Sequence, residues 1–513
     1  MELLPAERDV RITTHRAALD ERAFDEHDAV IVIRSKDVEP ATVRRMPFGA
    51  AITRHFERQL RSHSTVSMLS THVGAHATAY VIAFTKVVST FELLSLGARV
   101  WKQVANEAPR RVLICAADLP AEQQTPALES VLAAVLAGSA RLPSLKSKRA
   151  PHAALESITL CGGTRDLDVA RAVAVDRGNH VARWLAALPP NVLDSGSYRR
   201  ALAKLVRERR WAFTFLDTRA LERQRAGAFL AVARANDHSN AGIAHLVRRA
   251  RDRKNVRARI ALVGKGICFD TGGINLKSHK SMYLMHEDMQ GSAVALGTLL
   301  ALDDLDAPFD IDCWLAITEN NIGPRAYRPQ EVVTAANGVT IQVVHSDAEG
   351  RMALADTLAL AARGKPDVIV DFATLTGACV TALTERFSGV FTNRAEWHAL
   401  LERAGRDSGE RVWPFPMDED FDAELESPIA DILQCTMDGK GDHILAARFL
   451  KRFVPDEIPW VHVDLASSNR GGGLAHVPSD FTGFGVRYAT QLLLDPRLLG
   501  HSSASKAKRR AQR

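Results

Sequence analysis

Apolar runs alternate with helix-like segments along the first 165 residues of the chain. The segments FELLSLGARVWKQVANE and ALESVLAAVLAG have the length and composition of helices. The apolar runs are short and rich in β-branched residues, as strands are. They are AVIVIRS (29–35), ATAYVIAFT (77–85), RVLIC (111–115) and SITLC (157–161). This alternation predicts an α/β domain over residues 1–165.

A helical stretch follows this first domain and ends at Pro189-Pro190, where a helix cannot continue. We interpret residues 166–190 as a helix that connects two domains. The alternation then resumes with longer and more continuous apolar strands. Its segments are RIALVG (259–264), SAVALGTLLALDDL (292–305), FDIDCWLAI (309–317), TIQVV (340–344), MALADTLALAARG (352–364) and PDVIVDFATLTG (366–377).

Near-continuous apolar strands between helices are typical of a mainly parallel sheet that helices cover on both faces. The sequence therefore predicts an α/β protein of two domains, a smaller N-terminal domain and a larger C-terminal domain over residues 191–500. Ligands of such sheets bind at the carboxyl ends of the strands. We therefore expect site residues in the loops that follow the strands.

Composition narrows the class of protein. The 513 residues are 46% apolar and 25% charged, which is ordinary for a globular protein. No apolar run approaches the roughly 20 residues that a membrane span needs, and the first 24 residues mix acids and arginines without the apolar core of a signal peptide. Six scattered cysteines show no disulfide or metal-site spacing. Together these features predict a cytoplasmic protein that makes no membrane contact.

The basic charge of the chain is concentrated at its C-terminal end. The net charge is +6, but the last eight residues, KAKRRAQR, hold five basic residues and no acid, which leaves the rest of the chain close to +1. Residues 501–513 are small, polar and basic and have no apolar face to bury, so we predict a disordered tail. This tail is either a solvated end without a partner or a weak binding site for nucleic acid.

Three predicted strand ends of the second domain, after residues 264, 317 and 344, would bring charged residues towards one place. Lys265 and Asp270 follow the strand at 259–264, and Asp288 lies in the loop beyond them. Asp347 and Glu349 follow the strand at 340–344. Four carboxylates in one place repel each other strongly unless cations neutralise them. Hard divalent ions take such oxygen ligands, and a pair of ions about 3.5–4 Å apart can hold both the attacking and the leaving oxygen of a hydrolysis.

Simpler explanations of the same residues exist. Ser346 and Glu349 have the spacing of a capping box at the start of the helix that follows. Loop aspartates and lysines also commonly form surface salt bridges. A nucleotide site is not predicted, because neither GxxxxGK[ST] nor GxGxxG is present.

The motif VGKGICFDTGG, followed by DMQG and then SDAEGR, resembles the M17 leucyl aminopeptidase (cytosol aminopeptidase) family of dinuclear metallo-exopeptidases. NNIGPRAYRPQEVV, DFATLTGA, SPIADI and PWVHVDLAS are also similar to that family's pattern, in the same order. The resemblance covers roughly residues 175–490, whereas the N-terminal domain is similar only in size and α/β character. It implies a catalytic domain over 191–500, peptide substrates and a homohexamer.

The resemblance implies a role for each charged residue of these motifs. One metal ion would be held by Lys265, Asp270, Asp288 and Glu349, and a second by Asp270, Asp347 and Glu349 with the backbone carbonyl of Asp347. The resemblance implies that these ions are Mn²⁺ or Zn²⁺, although an oxygen-rich site also accepts Co²⁺ or Mg²⁺ according to their availability. Lys265 must be a neutral amine to donate a lone pair, so adjacent cations would have to lower its pKa.

Two further residues would act on the reaction itself. The resemblance implies that Lys277 polarises the scissile carbonyl and stabilises the oxyanion. It also implies that Arg351 holds a bicarbonate ion that shuttles a proton from the attacking water. The fork-shaped guanidinium suits such a planar anion.

The resemblance also implies a pocket for the N-terminal side chain of the substrate. Its lining residues would be Met285, Thr374, Gly377, Ala466 and Asn469. A free α-amine on one metal would restrict cleavage to the first peptide bond, and Met285 with the small residues favours an apolar side chain such as leucine. Asn469 stands where an apolar residue is common in the family, so we expect leucine to be less dominant here.

Two histidines near the motifs, His286 and His345, are further candidate ligands. We expect them to pack or to form hydrogen bonds instead, because the implied ligand set is already complete. The resulting hypothesis is a metal-dependent aminopeptidase that removes N-terminal, preferably apolar, residues from peptides. The alternatives are an additional DNA-binding or architectural role, as in some bacterial members of the family, and a pseudoenzyme, against which the intact set of charged residues argues.

Overall fold

The structure, a computed structural model, describes residues 2–15, 24–35, 37–50, 53–54, 66–73, 77–84, 89–148, 154–236 and 240–499. The chain divides into two compact units. The smaller comprises Ala6–Asp176 and Gly472–Asp480, and the larger comprises Met1–Pro5, Arg177–Gly471 and Phe481–Arg513. Within the described residues, no helix is both long and apolar enough to cross a membrane. The predicted domain limits at residues 165 and 190 stay predictions.

The smaller unit contains a six-stranded sheet with the order β1-β6-β5-β2-β4-β3. Its strands are β1 (Arg11–His15), β2 (Ala29–Ser35), β3 (Val66–Val73), β4 (Ala77–Phe84), β5 (Arg111–Ala116) and β6 (Ser157–Cys161). Its helices are α1 (Ala41–Arg45), α2 (Thr90–Val104), α3 (Ala121–Ser139) and the first part of α4 (Val169–Ala186). Every pairing is parallel except that of β3 with β4. The predicted α/β character is confirmed.

The start of α2 shows how the sequence sets a helix boundary in this unit. The hydroxyl of Ser89 accepts a hydrogen bond from the backbone N–H of Glu92 (3.3 Å), and the Glu92 carboxylate accepts one from the N–H of Ser89 (2.9 Å). This capping box satisfies two backbone donors that the helix leaves free. The buried face of α2, which includes Leu93 and Val100, packs into the apolar core of the sheet.

The larger unit contains an eight-stranded sheet with the order β15-β14-β17-β13-β9-β10-β8-β7. Its strands are β7 (Ala212–Asp217), β8 (Gly242–Arg248), β9 (Ala258–Asp270), β10 (Phe309–Asn320), β13 (Val368–Ala373), β14 (Ser388–Thr392), β15 (Val412–Pro414) and β17 (Trp460–Asp464). The central strands β17, β13, β9 and β10 are parallel to each other, and antiparallel pairs lie towards both edges. A second, three-stranded sheet consists of β11 (Val332–Thr334), β12 (Thr340–Gln342) and β16 (Ile432–Leu433).

The helices of the larger unit are given in chain order after α4. They are α5 (Ser195–Arg209), α6 (Thr218–Arg223), α7 (Gly227–Ala233), α8 (His279–Met282), α9 (Gln290–Asp304), α10 (Glu349–Ala362), α11 (Gly377–Leu383), α12 (His398–Ser408), α13 (Asp442–Lys451) and α14 (Val486–Leu494). Short 3₁₀ turns cover Met285–Glu287, Thr384–Arg386, Ala395–Trp397 and Glu419–Leu425 in this unit, and Ala105–Glu107 in the smaller one.

Two helices that begin near the predicted motifs, α9 and α10, are almost entirely buried. All 14 residues of α10 are buried, including the charged ones at its start. Helix α9 approaches β9 closely, because a Cβ added to Gly264 would lie 2.5 Å from the Cα of Ser292. Glycine therefore lets the backbones of strand and helix meet beside the candidate site.

Three predicted strand ends and one predicted sheet assignment are wrong. Strand β10 runs beyond residue 317 to Asn320, and β12 ends at Gln342, two residues before the predicted end. Strand β9 does not end at residue 264 but continues to Asp270, so Lys265 and Asp270 belong to the strand itself. The run TIQVV does not extend the main sheet, because β12 pairs with β11 and β16 in the smaller sheet. The charged residues still converge, because the chain after β12 brings Glu349 to Lys265 of the central strand β9.

Candidate active site

A cavity of about 700 Å³ lies within the larger unit, and it is lined by all twelve residues for which the resemblance implied a role in metal binding, catalysis or the side-chain pocket. They are Lys265, Asp270, Lys277, Met285, Asp288, Asp347, Glu349, Arg351, Thr374, Gly377, Ala466 and Asn469. Lys265 and Asp270 come from strand β9, and Asp288 lies two residues before α9. Glu349 is the first residue of α10. Strand β9, the segment before α9 and the start of α10 therefore bring these side chains together.

Lys265 lies at the bottom of this group and is almost completely buried. Its Nζ lies 2.7 Å from Oδ1 of Asp288 and 3.1 Å from Oε1 of Glu349, and it donates a hydrogen bond to the carbonyl of Thr374 (2.8 Å). Gly350 makes room for this side chain, because a Cβ there would lie 2.5 Å from Cε of Lys265. Burial alone would lower the pKa of Lys265, but the neighbouring carboxylates raise it above its ordinary value.

Lys277 pairs with the other two carboxylates of the group. Its Nζ lies 2.8 Å from Oδ2 of Asp270 and 2.6 Å from Oδ1 of Asp347. Burial lowers the pKa of Lys277, but the charges of Asp270 and Glu349 raise it above its ordinary value. Each lysine therefore joins two carboxylates, and four acidic groups converge on two ammonium groups.

The carboxylates are crowded and incompletely satisfied. Oxygens of Asp270, Asp347 and Glu349 lie within 4.8 Å of one another. Oδ2 of Asp288 and Oε2 of Glu349 are buried and have no hydrogen-bond partner among the described residues. Burial, followed by repulsion from Asp270, raises the pKa of Glu349 and of Asp347. Such a set of hard oxygen donors, with lone pairs free, fits divalent cations.

The capping box that the sequence suggested at Ser346 is not formed. Ala348 is the N-cap of α10 and provides no side-chain cap. The Ser346 hydroxyl instead donates to the carbonyl of Gly272 (2.6 Å) and accepts a hydrogen bond from the N–H of Asn275 (2.8 Å). Ser346 thus fastens the loop after β9 to the start of α10, and Glu349 points at Lys265 rather than at the helix end.

Two polar residues hold the carboxylates in place: Asn320, which sequence reasoning missed, and Thr374, which it had placed only in the side-chain pocket. The amide of Asn320, the last residue of β10, donates to Oδ1 of Asp270 (2.8 Å) and to the carbonyl of Ser346 (3.0 Å). The hydroxyl of Thr374 donates to Oδ1 of Asp288 (2.7 Å). The position of Asn320 at the end of an apolar strand was the available signal, although the hydrogen bond itself joins residues 50 apart.

Arg351 is also buried, two residues into α10 from Glu349. Its Nη2 lies 2.8 Å from Oδ1 and 2.7 Å from Oδ2 of Asp442, and its Nη1 donates to the carbonyl of Gln434 (3.2 Å). Burial lowers the pKa of Arg351, but the charge of Asp442 more than restores it. Asp442, which lines the same cavity, is a further residue that the sequence did not single out.

The predicted side-chain pocket contains an acid that the sequence analysis overlooked. The amide of Asn469 donates a hydrogen bond to Oε2 of Glu287, which also lines the cavity. Burial raises the pKa of Glu287 to about 7. Asn469 is therefore a paired amide, and the wall of the cavity between Glu287 and Asn469 is polar.

The two histidines near the motifs differ in their surroundings. His345 lines the cavity, and its Nδ1 accepts a hydrogen bond from the backbone N–H of Asp347 (3.3 Å). The ring of His286 packs edge-on against Phe481, with 5.8 Å between the ring centroids. These contacts are those of packed or hydrogen-bonding histidines.

Comparisons with known proteins agree with this geometry. A profile of the catalytic domain of the cytosol aminopeptidase family (M17 peptidases) matches residues 180–490. The chain is 37% identical over 380 residues to a protein named "Probable cytosol aminopeptidase" from Synechococcus sp. (strain WH7803), which covers 72% of this chain and 75% of that protein. It is 37% identical over 313 residues to a protein of the same name from Sulfurihydrogenibium sp. (strain YO3AOP1), with 61% of each chain covered.

A likeness to a solved structure extends over both units. The structure of a tomato leucine aminopeptidase mutant superposes with a TM-score of 0.82 at 25% sequence identity, covering 96% of this chain and 98% of that one. The family profile matches well over half of the chain, and the matched segment contains the whole cavity. The chain therefore belongs to the M17 cytosol aminopeptidase family.

Proposed function

We propose that the protein is a metal-dependent aminopeptidase that hydrolyses the N-terminal residue from peptides with two bound divalent cations. The observation that carries this proposal is the convergence of four carboxylates in one cavity, with buried oxygens of Asp288 and Glu349 that lack partners. A salt-bridge network needs no such free oxygens, whereas cation ligands do. Family membership supplies the reaction class.

Five residues would hold the two cations: Lys265, Asp270, Asp288, Asp347 and Glu349. Mn²⁺ or Zn²⁺ are the cations we propose, and when bound they supply the positive charge that activates water and stabilises developing oxyanions. Lys265 can serve as a ligand only as a neutral amine, so it must release its proton when a cation binds. The carboxylates of Asp288 and Glu349 beside it need a neighbouring positive charge. The Lys265 ammonium supplies that charge without a cation, and the cation would supply it once Lys265 is neutral.

Lys277 would act on the substrate rather than on the cations. Its side chain is 14% exposed, whereas that of Lys265 is 4% exposed, so Lys277 has the freer access to the cavity. An ammonium group held there can stabilise negative charge on the oxygen of the scissile carbonyl. Its pairs with Asp270 and Asp347 fix its position beside the carboxylates.

The pocket residues support a preference for apolar N-terminal side chains that is weaker than a strict leucine preference. Met285, Thr374, Gly377 and Ala466 offer small or flexible apolar contacts. Glu287 and Asn469 add a polar wall, which an apolar side chain would desolvate without gaining a hydrogen bond. We therefore propose that alanine, methionine or polar residues compete with leucine.

The proposals on assembly, cellular location and nucleic-acid binding do not depend on the geometry of the site. A cytoplasmic homohexamer is proposed from family membership. The DNA-binding alternative depends on the basic residues 501–513, which lie outside the described residues, and it stays a prediction.

The test is hydrolysis of leucine 4-nitroanilide by purified full-length protein, before and after chelation and with Mn²⁺ returned. We expect hydrolysis that chelation removes and Mn²⁺ restores. The Glu402→Ala variant on α12 is the matched control, since this half-buried carboxylate lies outside the residues that line the cavity and, among the described residues, pairs with the nearby Arg406. A folded, Mn²⁺-loaded protein that hydrolyses none of a panel of aminoacyl anilides would be a pseudoenzyme, contrary to the proposal.

A further inference from the structure

The predicted bicarbonate at Arg351 does not fit the residues that surround this side chain. A guanidinium binds a planar anion through two parallel N–H groups, along either its Nη1–Nη2 edge or its Nε–Nη2 edge. Both edges include Nη2, and both oxygens of Asp442 lie within 2.8 Å of that nitrogen. Nη1 already donates to the carbonyl of Gln434. A bicarbonate could bind in two-pronged fashion only if Asp442 moved away.

The carboxylate of Asp442 has the same chemistry as the anion it excludes. A carboxylate and a bicarbonate each present two oxygens on one planar carbon and carry one negative charge. Asp442 is the first residue of α13 and follows Gly441, whose φ of 62° is a conformation that glycine adopts without strain. This turn places the carboxylate against Arg351, which lies in α10.

Asp442 is also accessible from the cavity. Its side chain is 24% exposed, whereas that of its partner Arg351 is 3% exposed. It lines the same cavity as Lys277 and Asp347. Arg351 therefore anchors the carboxylate from the buried side and leaves part of it facing the space where a substrate would bind.

We propose that Asp442 is a catalytic residue, an internal proton acceptor that replaces a bound bicarbonate in this chain. This inference rests on the proposed aminopeptidase function. The Asp442 carboxylate takes one proton from the water whose oxygen forms the new bond to the scissile carbonyl carbon. It then gives that proton to the leaving nitrogen as the carbon–nitrogen bond breaks. One water is consumed, and Asp442 returns to its carboxylate form.

Arg351 has a defined part in this scheme. Its two contacts to the Asp442 oxygens hold the carboxylate in one orientation towards the cavity. A purely structural ion pair between α10 and α13 is the competing explanation. The two explanations differ in how the protein responds to added bicarbonate.

The experiment compares wild-type protein, Asp442→Ala and Asp442→Asn as full-length, metal-loaded proteins in buffers freed of carbon dioxide. Leucine 4-nitroanilide hydrolysis is measured with and without added bicarbonate. We expect wild-type kcat to be indifferent to bicarbonate. We expect kcat of Asp442→Ala to fall by about 10²–10⁴-fold, the range for losing a positioned general base, and bicarbonate to restore a large part of it.

Asp442→Asn is a second test, which removes the proton acceptor without opening space beside Arg351. The amide keeps the volume of the side chain and stays against Arg351, but it cannot accept the proton. We expect low kcat that bicarbonate does not restore. Metal content per chain, measured by mass spectrometry of the metals, should equal that of wild-type protein in both variants.

Binding of ¹³C-labelled bicarbonate, followed by NMR, gives a readout that does not depend on hydrolysis. We expect binding to Asp442→Ala, whose Arg351 lacks a counterion, and none to wild-type protein. Wild-type protein that binds bicarbonate and needs it for hydrolysis would overturn the proposal. So would an Asp442→Ala variant with undiminished kcat, or one whose lost activity bicarbonate fails to restore. Wild-type protein without any hydrolysis would instead refute the proposed function.

Discussion

Substitution of Lys277 by alanine separates chemistry from cation binding. The Lys277 ammonium lies 2.8 Å from Asp270 and 2.6 Å from Asp347, two of the proposed ligands, yet it is not itself a proposed ligand. Removing it frees oxygens of both carboxylates, so cations should bind no more weakly than before. The stabilisation of the oxyanion, in contrast, is lost.

The expected fall in kcat follows from the number of catalytic groups that the substitution removes. One charged donor to the oxyanion disappears, which typically lowers kcat by about 10²–10³-fold, or about 2.7–4 kcal/mol of transition-state stabilisation. KM should change much less, because the interaction is made mainly in the transition state. Lys277→Met, which keeps most of the side-chain length, should show the same loss in kcat.

The assay combines steady-state kinetics on leucine 4-nitroanilide with the metal content of each purified variant. Lys280→Ala is the matched control, because Lys280 is an exposed lysine of the adjacent short helix α8. Its kcat and metal content should equal those of wild-type protein. A Lys277→Ala variant whose metal content falls in step with its activity would refute the reasoning and make Lys277 a ligand or a structural residue.

Three further predictions follow from the same geometry. Asp288→Ala or Glu349→Ala should abolish hydrolysis, because each removes a carboxylate that two cations share; substantial activity in either metal-replete variant would contradict the assignment. Asn469→Met should raise the ratio of kcat/KM for the leucine anilide to kcat/KM for the alanine anilide by about tenfold, the scale of one apolar contact. An unchanged ratio would show that residue 469 does not contact the N-terminal side chain of the substrate. Truncation after Leu499 should leave peptide hydrolysis unchanged and abolish any salt-sensitive DNA binding seen in a gel-shift assay; lost hydrolysis would show that the tail packs into the fold.

The sequence predicted the central strands well because their apolar runs are continuous. It placed the end of β9 too early, since a strand pattern stops at the first charged residue and Lys265 is charged. In the fold this lysine stays within the strand because Asp288 and Glu349, far along the chain, neutralise it. The short run at β12 could be recognised as a strand, but nothing in its pattern says which sheet it joins.

The site residues divide in a similar way. Those inside compact motifs, such as Asp347 and Glu349, could be found from residue type and spacing. Asp442 could not, because its partner Arg351 is 91 residues away and only the folded chain brings them together. Glu287 was overlooked for a related reason, since its partner Asn469 is 182 residues away.

The central claim is that the carboxylate cluster holds cations that hydrolysis requires. Stepwise addition of Mn²⁺ to chelated wild-type protein, with bound metal and leucine 4-nitroanilide hydrolysis measured in the same samples, tests it most directly. We predict that hydrolysis appears as bound metal approaches two ions per chain, and that Glu349→Ala neither reaches this stoichiometry nor hydrolyses the substrate. Full hydrolysis by wild-type protein shown to be free of metal would contradict the account.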